Sequence, residues 1–374
     1  VSDVARLLDQ TLLDLCTVPS PTGEEQSLCD AVQARVSRLA LAAPVRRYGN
    51  SIVVRVARGP GPRIALVGHL DTVRTENGPA RIHAGRCVGA GASDMKSGLA
   101  VMLAVAETLP VEQLHCDLTL VFYAREEGPF ADNELGPVLD RDPDLAAMDL
   151  AVCMEPSDNK LHLGCVGSIH ATVTFRGRTA HSARPWEGDN AITRAAAFLG
   201  EIGSLPARAS VIDGLTYRTV TTVTQAHDGG RGRNVVPDRF VLNLNHRFAP
   251  DRTIDDSQRE VLALVAGRAD VEITDRSPAA RPNASHPLVR ALIASGVRAV
   301  EPKQAWTDVA RFAQHGVAAV NFGPGENAQA HQKNESTSLS LVHEGYAIIA
   351  RWLKGMTASR LDVHHETGLN PNSP

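Results

Sequence analysis

The sequence lacks a surplus of basic charge: 38 Lys and Arg stand against 42 Asp and Glu, a net charge of −4. That balance argues against nucleic acid as the main partner, because neutralising phosphates needs a basic face. No stretch approaches the roughly 20 uncharged apolar residues of a membrane span. The opening VSDVARLLDQTLLDLC carries acidic residues early and no long apolar run, unlike a signal peptide. The cysteines, Cys16, Cys29, Cys87, Cys116, Cys153 and Cys165, include no CxxC pair. They read as reduced, buried thiols of a cytoplasmic protein. Internal repeats and low-complexity tracts are also missing, and the final GLNPNSP reads as a loose tail. What is present is 374 residues, 43% hydrophobic and 21% charged. This composition suits an ordinary globular protein with an ample core, and excludes a disordered chain, a collagen-like fibre and a small disulfide scaffold.

Apolar spacing divides the chain into alternating elements. Helical spacing runs over 3–16 and 24–40, separated by Pro19, Pro21 and Gly23, with Thr22 placed to cap the second helix. Four short apolar runs have the character of buried parallel strands: RIALV (63–67), LTLVFY (118–123), LAVCM (150–154) and VAAVNF (317–322). Helices are expected at 95–108, 308–315 and 337–354, so the outer parts of the chain read as a doubly wound, mostly parallel-stranded α/β domain. The middle differs. From 169 to about 276 the order is strand (IHATVTF), helix (189–202), strand (RTVTTVTQ), strand (RFVLNLNHRF), helix (254–266), strand (DVEIT). That is the βαββαβ order of ferredoxin-like units. Its strands alternate apolar and polar residues, which leaves one face of the sheet open to water or a partner. The expected organisation is one α/β domain from 1–168 and 286–374, interrupted by an inserted ferredoxin-like domain over 169–285.

The chemistry gathers where the apolar runs end. Gly68-His69-Leu70-Asp71 follows the first, Glu126-Glu127-Gly128 lies just beyond the second, Glu155-Pro156 follows the third, and the fourth leads through FGPGENAQA to His331. A further segment, Gly89 to Gly98 with Asp94 inside it, opens a helix. In open α/β sheets ligands bind outside the carboxyl ends of the strands. Taken singly, each signal has an ordinary explanation as a surface turn or a packing histidine. Their common position at strand ends gives them joint weight. The 89–98 loop lacks the third glycine of a dinucleotide loop and has Asp94 there, which would repel a pyrophosphate. Two histidines with several carboxylates form a mixed N/O donor set suited to Zn²⁺, with Co²⁺ or Mn²⁺ as substitutes. Five or more donors, one able to bridge, suit two ions about 3.5–4 Å apart. Asp71 is close enough to His69 to accept its ring N–H and orient it. In the Glu126-Glu127 pair one side chain can bind metal while its neighbour faces the reacting water.

These stretches resemble the M20 metallopeptidases: HLD at 69–71, GAGASDMKSG at 89–98, EEG at 126–128, MEP at 154–156 and AHQKNE at 330–335. LGCVGSI, GRTAHSARPWEGDNAI, WTDVARF and VNFGPGENAQAHQKNE extend the likeness over nearly the whole chain, insert included, and are most similar to the branch that desuccinylates diaminopimelate. The resemblance implies a homodimeric, cytoplasmic enzyme with two Zn²⁺ per subunit. It implies His69 and Glu155 on one ion, Glu127 and His331 on the other, Asp94 bridging, Asp71 orienting His69, and Glu126 as general base. It also implies a cis Asp94–Met95 peptide. His181 of the insert would stabilise the developing oxyanion, often across a dimer interface. Asn234, Arg247, Thr307 and Asn327 would contact substrate. The implied reaction is hydrolysis of the amide of N-succinyl-LL-2,6-diaminopimelate. Deacylation of another N-acyl amino acid such as N-acetylornithine, an M20 dipeptidase or carboxypeptidase, and a non-catalytic metal-binding regulator remain the alternatives.

Overall fold

The computed structural model describes residues 3–228 and 232–356, so the GLNPNSP tail lies outside the described residues. The larger sheet has eight strands. Their spatial order is Arg46–Tyr48, Ser51–Ala57, Asp117–Tyr123, Arg63–His69, Leu150–Cys153, Ala319–Asn321, Leu161–Leu163 and Val300–Pro302. The four strands from Asp117–Tyr123 to Ala319–Asn321 run parallel. The first two form an antiparallel hairpin that extends one edge, and Leu161–Leu163 sits antiparallel to Ala319–Asn321. The expected mostly parallel α/β sheet is therefore present.

Burial explains why those four apolar runs form the centre. Every residue of Asp117–Tyr123 is buried, as a strand covered on both faces must be. Asp3–Thr17, Lys96–Thr108 and Leu339–Lys354 cover one face, where Leu8, Leu66, Leu99 and Ile349 pack together. Leu135–Arg141 and Val309–Gln314 cover the other, with Val67, Val138 and Phe312 in contact. The helix Lys96–Thr108 is the most deeply set: each residue from Lys96 to Ala106 is buried. Gly98 makes that approach possible. A Cβ there would stand 2.3 Å from the Met154 carbonyl oxygen, closer than packed atoms approach.

Sequence periodicity missed the short elements. The hairpin Arg46–Tyr48/Ser51–Ala57 and the strands Leu161–Leu163 and Val300–Pro302 were not expected, nor was a separate three-stranded sheet of Arg81–His83, Arg86–Val88 and Ser336–Ser338. All of these but Ser51–Ala57 are three residues long, too few to show a period of two. Thr22 does not cap the second helix, which spans Gln26–Val36 without a side-chain cap. Its hydroxyl instead donates to Asp71 Oδ2 at 3.1 Å. All six cysteines are buried and free, and no described helix is long and apolar enough to cross a membrane.

A second, antiparallel sheet has the order Arg208–Ile212, Leu215–His227, Arg239–Phe248, Gly167–Arg176, Asp270–Ser277. The last four strands follow the expected βαββαβ course. Arg208–Ile212 is an additional edge strand. Ala191–Ser204 and Ile254–Val265 cover one face through Phe198 and Val261. Their N-termini are capped by Asn190, which accepts from the Ile192 N–H, and Thr253, which accepts from the Asp256 N–H. The chain enters this sheet at Gly164–Val166 and returns beside itself: Cys165 N–H donates to Ala280 O at 3.0 Å, and Ala280 N–H donates to Cys165 O at 3.1 Å. Gly164 has φ +57°, and a Cβ there would meet Ala280 O at 2.6 Å, so the crossing needs glycine.

His246 links this packing to pH. It is fully buried, with Nδ1 2.8 Å from Thr221 Oγ1. Burial lowers its pKa to about 4. The unfolded chain then binds the extra proton between that value and the ordinary one near 6.5, so stability falls as pH drops through this window. Going from pH 7 to pH 5, His246 is expected to remove about 2 kcal/mol. Urea unfolding at the two pH values measures this, and His246→Asn should flatten that part of the slope. An equal slope in the variant would remove His246 as its source.

Candidate metal centre

Four of the expected donors stand at the carboxyl ends of the central parallel strands or on the loops leaving them. His69 is the last residue of Arg63–His69, Glu127 lies in the turn after Asp117–Tyr123, and Glu155 follows Leu150–Cys153. Asp94 ends the loop before Lys96–Thr108, and the Asp94–Met95 peptide is cis. His331 comes from the loop before Ser336–Ser338 and holds φ +61°, an uncommon state for a non-glycine residue and one that clusters at functional sites.

These residues converge. His69 Nε2 lies 3.2 Å from Asp94 Oδ1, and His331 Nε2 lies 3.6 Å from Asp94 Oδ2 and 3.0 Å from Glu127 Oε1. Asp94 thus stands between the two imidazoles, one oxygen toward each. Three trios bring their donor atoms within 4.8 Å of one another: His69/Asp94/Glu155, Asp94/Glu127/His331 and His69/Glu126/Glu127. Glu155 Oε1 is buried without a hydrogen-bond partner. A carboxylate oxygen left so is costly unless a cation completes it, so the donor set fits metal.

The supporting contacts refine the expectation for Asp71. His69 Nδ1 lies 2.9 Å from the Asp71 backbone carbonyl and 3.6 Å from its carboxylate. The main-chain oxygen is therefore the closer orienting acceptor. The carboxylate mainly holds the next strand's loop: Oδ1 accepts the Glu126 N–H and Oδ2 the Glu127 N–H, both at 3.0 Å. Arg125, just before them, has φ +65°, so one carboxylate and one strained turn aim both glutamates. Glu335 closes the AHQKNE stretch. Its carboxylate accepts from the N–H groups of Gly91 at 3.0 Å and of Ser93 and Asp94 at 2.7 Å, which fixes the Asp94 loop. Three N–H donors on one buried acid have no periodic signature in a sequence.

Charge at the cluster is strongly perturbed. Burial pushes Glu155 up to about 7, with Asp94 adding to the effect. Burial and Glu155 raise Glu126 well above the usual carboxylate range. His331 is raised to about 9, first by its hydrogen bond to Glu127. Burial works against a charged His69, yet Asp94, Glu155 and Asp71 hold its pKa well above normal. Crowded acids and imidazoles that charge one another in this way are the electrostatic mark of a cation site.

Among the described residues, the other expected contacts make no hydrogen bond or ion pair with the cluster. His181 is exposed on the two-residue strand Ala180–His181, which pairs with Val235–Val236, and its Nδ1 accepts from the Ala183 N–H at 3.0 Å. Asn234 is on the same ribbon, where its carbonyl accepts the Ser182 N–H at 2.9 Å. Arg247 lies on the second sheet and donates to Asn245 Oδ1 at 2.9 Å. Asn327 is exposed at the start of the turn Asn327–Gln329. Thr307 is buried, with its hydroxyl unpartnered.

Residues 65–355 match Peptidase family M20/M25/M40. The chain is 36% identical over 355 residues to the succinyl-diaminopimelate desuccinylase of Corynebacterium glutamicum, covering 93% of this chain and 95% of that one. Among solved structures it is similar to the M20 family metallo-carboxypeptidase Sso-CP2 of Sulfolobus solfataricus, with TM-score 0.77 and 15% identity over 93% and 98% of the two chains. It is also similar to a tripeptidase of Staphylococcus aureus, with TM-score 0.75 and 20% identity over 94% and 98%. At these identities the solved structures share the fold, while the match over most of the chain and the desuccinylase identity carry the assignment: this protein belongs to peptidase family M20/M25/M40.

Proposed function

We propose that this chain is a di-zinc amidohydrolase that cleaves N-succinyl-LL-2,6-diaminopimelate to succinate and LL-2,6-diaminopimelate, in cytoplasmic lysine and diaminopimelate synthesis. The observation that carries the hydrolase reading is the position of Asp94 between His69 at 3.2 Å and His331 at 3.6 Å, with Glu126 in an adjoining trio. The name of the Corynebacterium glutamicum relative supports the substrate. His69 and Glu155 would hold one ion, Glu127 and His331 the other, and Asp94 would be shared by both. Bound there, Zn²⁺ (or Co²⁺ or Mn²⁺ in its place) supplies Lewis acidity toward water and the amide carbonyl. Glu126 takes a proton from the attacking water and delivers it to the leaving amine as the C–N bond breaks. Asp71 keeps Glu126 and Glu127 aimed through their N–H groups.

The insert over 169–285 serves as lid and dimer surface in this reading, between catalytic segments 1–168 and 286–374. The exposure of His181 supports it: the ring is free to meet substrate when the insert closes or when a second copy approaches. Arg247, Asn234, Thr307 and Asn327 are the proposed substrate contacts. The test is kcat/KM of zinc-reconstituted protein on N-succinyl-LL-diaminopimelate and on N-acetylornithine. The succinyl substrate is expected to be preferred by at least about 10²-fold, the discrimination of a site that pairs a charged group. A preference for the acetylated substrate overturns the substrate assignment, and zinc-loaded protein that turns over no N-acyl amino acid overturns the enzyme.

A further inference from the structure

Two lysines of the larger unit are almost fully buried, and they differ. Lys96 is 1% exposed, and its ammonium donates to the Val18 carbonyl at 3.0 Å. Lys303 is 7% exposed, yet among the described residues its ammonium makes no hydrogen bond or ion pair. It is not sealed in either, since it is absent from the fully enclosed unpartnered atoms. A lysine ammonium is a compact, strongly hydrated charge that is seldom buried without a partner. One left unpaired yet within reach of solvent is set to receive an anion that comes and goes.

Its position says which anion. Lys303 follows Val300–Pro302, and its backbone brackets the crossing between the two sheets: its N–H donates to Leu163 O, and its carbonyl accepts the Val166 N–H, both at 3.3 Å. From there its charge acts on Asp94 and Glu155, the acids of the His69 trio, without closing on either as an ion pair. Thr307, whose buried hydroxyl is unpartnered, lies at the same crossing, with its carbonyl 3.7 Å from Cys165 Sγ. Asp308, the next residue, accepts from the Tyr123 hydroxyl at 2.7 Å, and the Tyr123 ring lies edge-on 6.3 Å from the His69 ring, so the segment that carries the free cation and the free hydroxyl runs past the donor cluster.

We infer that Lys303 is a substrate-binding residue whose ammonium receives a carboxylate of the N-acyl amino acid beside the Asp94–Glu155 end of the cluster. This rests on the hydrolase reading above. The carboxylate belongs either to the acyl chain or to the carbon that bears the succinylated nitrogen (the α-carboxylate), and the test separates the two. Lys303→Met and Lys303→Gln are compared with wild type on three substrates: N-succinyl-LL-diaminopimelate, its N-butyryl counterpart without the acyl carboxylate, and the succinyl compound with its α-carboxylate converted to carboxamide. Zinc content is measured alongside.

With the succinyl substrate, KM is expected to rise about 10- to 100-fold, the worth of a charge-assisted hydrogen bond. kcat should stay within about 3-fold, both zinc ions should remain, and Lys303→Arg should recover most of the loss. The rise vanishes with the butyryl compound if Lys303 holds the acyl carboxylate, and with the carboxamide if it holds the other. Lys303→Gln keeps the test decisive should Lys303→Met fold poorly. An unchanged KM, an equal rise for all three substrates, or loss of zinc overturns the inference, the last by making Lys303 a counter-charge for the donor set. Wild type that fails to hydrolyse the succinyl substrate is a separate result, and it overturns the substrate reading and this inference together.

Discussion

Glu126→Gln is expected to lower kcat by about 10³- to 10⁴-fold, the upper range for removing a general base, with KM and zinc content nearly unchanged. The substitution keeps the size of the side chain and removes its ability to take a proton. The backbone anchor of residue 126 is untouched, because Asp71 Oδ1 holds its N–H at 3.0 Å whatever the side chain. Glu127, held by the other Asp71 oxygen, keeps its hydrogen bond to His331. The variant therefore separates proton transfer from metal binding. Steady-state kinetics with metal analysis on the same sample measures both. Loss of an ion together with activity would move Glu126 into the donor set, as the His69/Glu126/Glu127 trio permits. Full activity would leave proton transfer to another group.

Asp94→Ala is expected to have the widest effect on metal. Asp94 alone belongs to both the His69/Glu155 and the Glu127/His331 trios, so its removal should take zinc content from two ions per chain to below one. Glu155→Ala removes a donor from one trio and should leave one ion. Outer-shell partners of a metal typically cost 10- to 100-fold in affinity, and loss of a shared ligand should exceed about 100-fold. Zinc titration followed by dialysis against a weak chelator gives the stoichiometry. Asp94→Ala also strips buried His69 of its partner at 3.2 Å, so the unfolding midpoint of the metal-free protein should fall, and Asp94→Asn, which keeps the size of the side chain, repeats the zinc measurement. An Asp94→Ala protein that still holds two ions would end its assignment as the bridge.

The central strands were legible because burial on both faces writes them as unbroken apolar runs. LTLVFY became Asp117–Tyr123 with one residue added, and LAVCM became Leu150–Cys153 with one removed. RIALV stopped short of Gly68 and His69, which complete the strand; a glycine and a histidine look like a turn unless a helix is known to press against them. The edge hairpin was missed although Gly49-Asn50 sits between its strands, a short turn of the kind that joins hairpins. Helix 24–40 shortened to Gln26–Val36.

At the site, the convergence of His69, Asp94, Glu127, Glu155 and His331 could be expected from the rule that ligands bind where strands end. The supporting contacts could not. Glu335 acts through three backbone N–H groups more than 240 positions away in sequence, and Lys303 matters because of what its ammonium does not touch. Both depend on tertiary placement that no local pattern encodes.

The side-by-side passage at Cys165 and Ala280 makes the architecture modular. Every strand of the eight-stranded sheet and all five candidate metal donors lie before the outgoing thread or after the returning one, and every strand of the antiparallel sheet lies between them. A gene from which that interval was spliced, its stumps joined by a short turn, would still encode all eight strands and all five candidate donors. The same junction could accept a different cassette while leaving those donors where they are.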